Sequence, residues 1–421
     1  KMTIKDFQMK LEKYAEIAIQ VGLNLQPGQR LLIRGPMVYG VPFSAAPLIR
    51  EVTKAAYKAG ARQVDVMYGD EQTELVRFQY GPKDAITDFS AWKAIAPYEN
   101  AKDGNAAMTI TGLDPDLLSR QDPDLVSKYS QVCWEKLDPF LKIAGKNDIN
   151  WLVLGAPTPG WCRKVFPNLP ADEAEERMWE MLFKLCRIDR PDPVQAWKDH
   201  ISTLMACSKY LNQKQYHSLH YQGPGTDFKI GLPAGHEWHA AQSECSMGFP
   251  FTANIPTEEV YTLPHCREAE GVVSASLPLN YNGVLIDKFQ IRFEGGRAVN
   301  STAHSGDDVL KKLIETDAGS SRLGEVAMVP HSSPIAQSGI LFYNTLYDEN
   351  AASHFALGQA YNTTLTNGTS MNDEEFAAAG GNNSIIHVDF MVGCKEMDID
   401  GITENGDVEP VMRKGEWAFQ P

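Results

Sequence analysis

Apolar and polar positions along this chain follow two different periods. Between residues 3 and 23, Phe7, Leu11, Tyr14, Ala15, Ile17, Ala18 and Val21 recur at helical spacing, which predicts an amphipathic helix ending near Gly22. Gly28-Gln-Arg-Leu-Leu-Ile-Arg-Gly35 then reads as a buried strand, residues 48–59 as a helix stopped by Gly60, and residues 63–68 as a second strand. A further strand is expected over 149–154, followed by long helices over 171–187 and 193–212. Strands that alternate with helices predict an α/β layer on a largely parallel sheet. After residue 212 the period shortens. Gly223-Pro-Gly-Thr, Leu232-Pro-Ala-Gly, Asn282-Gly and Glu294-Gly-Gly punctuate short alternating runs, the mark of an antiparallel or mixed sheet. Ser305-Gly-Asp-Asp reads as a capped helix start, Asp348 as the start of another helix running towards Tyr361, and residues 383–394 as a strand. The expected fold class is α/β: an N-terminal α/β domain over 1–210 with a largely parallel sheet, and a C-terminal mixed α+β domain over 211–421.

Composition narrows the partners. The 421 residues carry 39 Lys plus Arg against 54 Asp plus Glu, a net charge of −15. Such a surplus argues against nucleic acid as the main partner, since phosphate binding needs a basic face, and against an anionic membrane surface. No apolar run reaches the length of a membrane span, and the first residues lack the apolar core of a signal peptide. Seven widely spaced cysteines with no Cys-x-x-Cys suggest reduced thiols and neither a disulfide framework nor a zinc knuckle. All ten histidines lie between His200 and His387, so any imidazole chemistry belongs to the second half.

The common nucleotide and serine-hydrolase motifs are absent. His236-Glu-Trp-His239 looks like a zinc-protease helix, but its histidines are three residues apart instead of four and sit in a turn-rich β region. Four other segments gather carboxylates and imidazoles. Glu258 and Glu259 follow a proline at a strand start, where two solvated glutamates are the simpler reading. Glu325 opens an otherwise apolar strand, so it either faces water at an edge or pairs with a cation. His354 falls in the helix expected from Asp348, with Tyr361 seven residues on and therefore on the same face, and Glu349 in or before its first turn. His387 and Asp389 are two apart on a strand and share one side of a sheet, as a structural hydrogen-bonded pair or as ligands. Together these segments supply a ligand mix that suits Zn²⁺, Co²⁺ or Mn²⁺, and a shared carboxylate could bridge two ions.

The strings Gly223-Pro-Gly-Thr-Asp-Phe-Lys-Ile-Gly-Leu-Pro233, Ile255-Pro-Thr-Glu-Glu-Val260, Asp348-Glu-Asn-Ala-Ala-Ser-His354 and His387-Val-Asp389 resemble the thermophilic-type metalloaminopeptidases, the family of leucyl aminopeptidase T, aminopeptidase S and PepS. The resemblance covers essentially the whole chain. It implies a cytoplasmic homodimer that removes N-terminal residues from peptides, with a C-terminal metal-binding domain and two divalent ions per subunit. Carried over by position, the metal ligands would be Glu259, Glu325, His354, His387 and Asp389, with Glu349 near the second ion and Tyr361 as the active-site tyrosine. The expected mechanism is two-metal activation of a water, with Glu258 or Glu325 as the candidate base. The alternatives are another dinuclear hydrolase (an amidase or a phosphoesterase) or a non-catalytic peptide- or metal-binding protein.

Overall fold

A computed structural model of the chain describes residues 2–281 and 283–420; the turn expected at Asn282-Gly falls on Asn282, outside the described residues. The chain forms two compact units, and the division is not one cut near residue 210. The first unit comprises Lys1–His200, Gln242–Pro256 and Phe342–Leu346, and the second comprises Ile201–Ala241, Thr257–Leu341 and Tyr347–Pro421. Among the described residues no helix is long and apolar enough to cross a membrane.

The first unit is built on a parallel sheet. Its strands are β1 (Arg30–Arg34), β2 (Gln63–Val66), β3 (Ala106–Thr111), β4 (Trp151–Gly155) and β5 (Asn254–Ile255), in the spatial order β5-β4-β3-β1-β2. Every neighbouring pair is parallel. Leu31, Ile33, Met108, Ile110 and Leu154 are fully buried, as expected of strands covered on both faces. The first helix, α1 (Ile4–Ile17), is capped by Thr3, whose hydroxyl accepts from the Asp6 N–H at 3.1 Å, and it buries Leu11, Tyr14, Ala15 and Ile17. It runs on through a π-helical turn, Ala18–Gly22. The turn closes on Gly22, where a Cβ would stand 2.6 Å from the Leu152 side chain. The fifth strand, β5, comes from a distant stretch of sequence, and no short-range pattern announces its pairing with β4.

The second unit is antiparallel. One sheet has eight strands, ordered from Arg297–Thr302 at one edge, through the central pair Thr226–Gly231 and Ser218–Gly223, to Glu416–Trp417 at the other. A second sheet has four strands in chain order: β6 (Val260–Thr262), β7 (Leu323–Met328), β8 (His354–Gly358) and β9 (His387–Met391). Phe355 of β8 packs on Tyr221 and Phe228 of the larger sheet, at ring distances of 4.9 and 5.4 Å, so one face of β8 is core.

Two local expectations fail here. The helix expected from Asp348 to Tyr361 is only a short turn, Thr345–Asp348 and then Glu349–Ala351; His354–Gly358 is a strand paired on both sides. His354 and Tyr361 therefore do not share a helical face. A run as short and apolar as His-Phe-Ala-Leu-Gly has no decisive period, and full burial between two strands decides its conformation. The helix Asp307–Ile314 forms, but Ser305 does not cap it. Its first flanking residue is Gly306 at φ 76°, and the Ser305 hydroxyl instead donates to the Leu285 carbonyl at 3.4 Å.

Candidate metal centre

The four-stranded sheet has one apolar face and one face of ligand chemistry, and alternation along the strands sorts the residues between them. On β8, Phe355 and Leu357 point to the core, so His354, Ala356 and Gly358 point the other way. The ladder sets Ala356 between Glu325 on one neighbour and Asp389 on the other, and sets Gly358 beside His387. Small residues at 356 and 358 leave open the space that the acids and imidazoles occupy. On β9, Phe390 packs on Phe355 and Phe289 at 6.0 and 5.8 Å, which leaves His387 and Asp389 together on the opposite side.

Glu325 reaches this face through an irregularity. Leu323 pairs with Leu357 and Glu325 with Ala356, so the register slips at Gly324. The bulge lets Leu323 stay on the core face while Glu325, two residues later, faces His354. Only glycine fits there, because a Cβ at 324 would stand 2.3 Å from the Gly358 carbonyl oxygen. Glu259 ends the loop before β6. Glu258 and Glu259 are 2% and 9% exposed, so the expectation of two solvated glutamates is overturned. The loop folds inward, and the Glu258 N–H donates to the Asn350 side-chain oxygen at 2.7 Å.

The result is two overlapping triads. Glu259, Glu325 and His354 form one, Glu325, His387 and Asp389 the other, and within each the donor atoms lie within 4.8 Å of one another. His354 Nε2 is 3.3 Å from Glu259 Oε2 and 3.4 Å from Glu325 Oε1. His387 Nε2 is 3.7 Å from Glu325 Oε2 and 3.4 Å from Asp389 Oδ1. Glu325 thus turns one oxygen to each triad. Both rings are held from behind: His354 Nδ1 lies 3.0 Å from the Ala352 carbonyl and His387 Nδ1 lies 2.7 Å from the Gln359 carbonyl. A carbonyl can only accept, so each Nδ1 carries a proton and each Nε2 is aimed at the carboxylates.

Charge is concentrated and poorly solvated here. Burial pushes the Glu325 carboxyl up despite the imidazoles beside it. It also pushes Glu349 well above the usual carboxylate range, and the nearby Glu259 and Asp389 add repulsion. Burial opposes the charged form of His354, but contact with Glu259 and Glu325 outweighs it and raises that imidazole well above its ordinary value. The same contest, settled by Asp389 and Glu325, pushes His387 up to about 9. Burial alone would raise Asp389, yet the two imidazoles hold it below the usual range. Protonated, the two imidazoles face these carboxylates through Nε2. They satisfy the acids incompletely: Glu259 Oε2 and Asp389 Oδ1 are buried with no hydrogen bond. Five donor residues on one face, a carboxylate shared between two triads and two buried carboxylate oxygens without a hydrogen bond fit divalent cations.

The remaining candidates lie around the triads. Tyr361 follows β8 by three residues and is 47% exposed, with its ring 4.8 Å from the His387 imidazole. Desolvation and the charges of Glu325 and Asp389 keep its hydroxyl protonated. Glu349 belongs to neither triad; its Oε1 lies 3.4 Å from the Asn350 side-chain nitrogen. Sequence reasoning missed Asn350, which is completely buried, and the carbonyls of Ala352 and Gln359, which have no sequence signal at all. It also missed Tyr261. This residue lies across the ladder from Ala327 on the triads' face and packs its ring 6.4 Å from Tyr361, and its place two residues after Glu259 was the available clue.

The sequence profile of the thermophilic metalloprotease (M29) family matches residues 7–417. Aminopeptidase 2 of Geobacillus stearothermophilus is 42% identical over 414 residues, which cover 98% of this chain and 99% of that protein. Aminopeptidase AmpS of Bacillus subtilis is 42% identical with the same coverage. Among solved structures, wild-type AmpT from Thermus thermophilus superimposes with a TM-score of 0.92 at 39% identity, over 98% of this chain and 100% of that one. The profile spans nearly the whole chain and includes both triads, so the chain belongs to the thermophilic metalloprotease (M29) family.

Proposed function

We propose that this enzyme is an aminopeptidase, and that the paired triads are its catalytic centre and hold two divalent ions drawn from Zn²⁺, Co²⁺ or Mn²⁺. The observation that carries the reading is Glu325, a buried carboxylate with one oxygen in each triad. Glu259 and His354 complete one ion's ligands, and His387 and Asp389 the other's, with Glu349 as a supporting acid beside them. When bound, such a pair of ions supplies Lewis acidity, which acidifies a water and polarises the scissile carbonyl.

The chain's own groups do the rest. Tyr361, kept as a phenol at the open side of the centre, donates its O–H to the carbonyl oxygen as negative charge develops there. Glu258 is positioned by the Asn350 hydrogen bond to its N–H and takes the role of base, passing a proton to the leaving amine; Glu325 is the alternative. The acids outside the triads, Glu258 and Glu349, favour the ammonium of a free N-terminus, which selects peptide ends over internal bonds. Among the described residues no Lys or Arg pairs with any of the five ligand candidates, so a phosphoester dianion would find no cationic clamp of the protein's own. The same reading makes the protein a cytoplasmic homodimer that acts on peptides, and light scattering on the purified protein tests the dimer.

Dialysis against a chelator, followed by assay on aminoacyl anilides and on an aryl phosphate, tests the proposal. Anilide hydrolysis should vanish and return with Co²⁺ or Zn²⁺. Undiminished turnover in metal-free protein would overturn it.

A further inference from the structure

A cavity of about 310 Å³ lies wholly within the first compact unit and shares no residue with the triads. It opens at the carboxyl ends of β1 and β2, the edge at which doubly wound parallel sheets take their ligands. Gly35, Gly40 and Gly69 line it, where neighbouring backbone segments approach too closely for a side chain. A Cβ on Gly35 would stand 1.8 Å from the Gly40 carbonyl oxygen, and one on Gly69 would stand 1.7 Å from the carbonyl oxygen of Tyr39. Its rim is aromatic: Phe43 and Tyr68 stack at 5.9 Å, and Trp92 adds a third ring. All three rings are largely exposed, at 65%, 41% and 58%.

Arg34, the last residue of β1, lines this cavity and is only 5% exposed. Its guanidinium lies over the Phe140 ring at 5.0 Å and donates to the Met37 carbonyl. Among the described residues it has no carboxylate partner, whereas the other charges of the wall are matched. Lys93 pairs with Glu74 at 2.9 Å, and Asp70 accepts from the Gln72 N–H at the start of the helix Glu71–Tyr80. A desolvated guanidinium without a counter-ion is unfavourable, and its planar fork matches a carboxylate. Aromatic rings beside it match an apolar group on the same ligand.

We propose that this cavity binds a small organic carboxylate that carries an aromatic or aliphatic group, with Arg34 holding the carboxylate and the Phe43, Tyr68 and Trp92 rim covering the apolar part. Free amino acids and N-acylated acids share this chemistry. The site is independent of the metal centre.

Titration calorimetry on the full chain, both metal-loaded and after chelation, tests it with three probes: N-acetyl-L-phenylalanine, L-phenylalanine and N-acetyl-L-phenylalaninamide. The acetylated acid should bind at one site per chain with or without metal, and its amide at least about tenfold more weakly, because a charge-assisted hydrogen bond is lost. Comparable binding of L-phenylalanine extends the site to free amino acids; binding of the acetylated acid alone restricts it to acids without an ammonium. Arg34→Met should weaken binding by about ten- to hundredfold. If Arg34→Met does not fold, Trp92→Ala at the exposed rim keeps the fold and should also weaken binding. No saturable binding in the millimolar range, equal affinity for acid and amide, or full affinity in the folded variants would each overturn the proposal. So would loss of a dimer in Trp92→Ala with no ligand bound by the wild type, which would assign the rim to a subunit interface.

Discussion

Replacing Glu325 by Gln should separate folding from metal binding. The two side chains have the same shape, so β7 and its bulge survive the change. The charge does not. Glu325 is 5% exposed and stands 3.4 Å from His354 and 3.7 Å from His387, inside both triads. A unit charge pair about 4 Å apart is worth about 4 kcal/mol at an effective dielectric near 20, which is about a thousandfold in affinity for each unit of cationic charge. Both ions should therefore be lost together, and anilide hydrolysis with them. The metal-free protein should fold but lose some stability, because His354 and His387 each lose a carboxylate partner, a loss offset in part by relief of repulsion from Glu259 and Asp389. Wild-type protein should show a Tm that climbs with added Zn²⁺ by mass action, and Glu325→Gln a flat one. Elemental analysis after gel filtration and thermal melts across a metal series supply both readings. A variant that retains two ions and a normal kcat would refute the bridging role.

Four shorter predictions follow from the same geometry. His387 has its folded pKa raised from 6.5 to about 9, so its stabilising contact in metal-free protein is fully present below about pH 6.5 and fades as pH rises through about 9. The metal-free Tm should fall over that window while the metal-loaded Tm does not; parallel profiles would contradict the assignment. Metal binding should release protons from the two imidazoles, which calorimetry in buffers of different ionisation enthalpy detects, and an enthalpy independent of buffer would count against it. Tyr361→Phe should lower kcat by about a hundredfold or more while metal content stays unchanged, and an unaltered kcat would remove the hydroxyl from oxyanion stabilisation. Asn350→Ala should cost about 1–3 kcal/mol, because it removes the side-chain acceptor of the buried Glu258 N–H, and a Tm equal to wild type would show that this hydrogen bond does not matter.

Periodicity made the framework of this fold legible. The buried strands β1 and β4 and the long helices carry patterns that span several turns or a full apolar run, so burial and sequence agree. Part of the carboxylate and imidazole cluster was also legible, since His387 and Asp389 sit two apart and any strand must turn both the same way. What stayed hidden depends on distant contacts. His354 lies on a strand because β7 and β9 flank it, and no local signal reports those neighbours. Glu325 faces the centre only because Gly324 bulges against Gly358. Glu258, buried beside Glu259, donates its N–H to Asn350, some ninety positions away, and the carbonyls that orient the two imidazoles are backbone atoms that any residue would supply. The division of the chain was hidden for the same reason, because residues 242–256 return to lay β5 beside β4.

The most direct test of the central claim is an anomalous-difference map from crystals grown with Zn²⁺ or Co²⁺. Two peaks about 3.5–4 Å apart should appear, with Glu325 between them, Glu259 and His354 on one, and His387 and Asp389 on the other. An active crystal form whose metal lies on other residues, or a single peak that Glu325 does not touch, would contradict it.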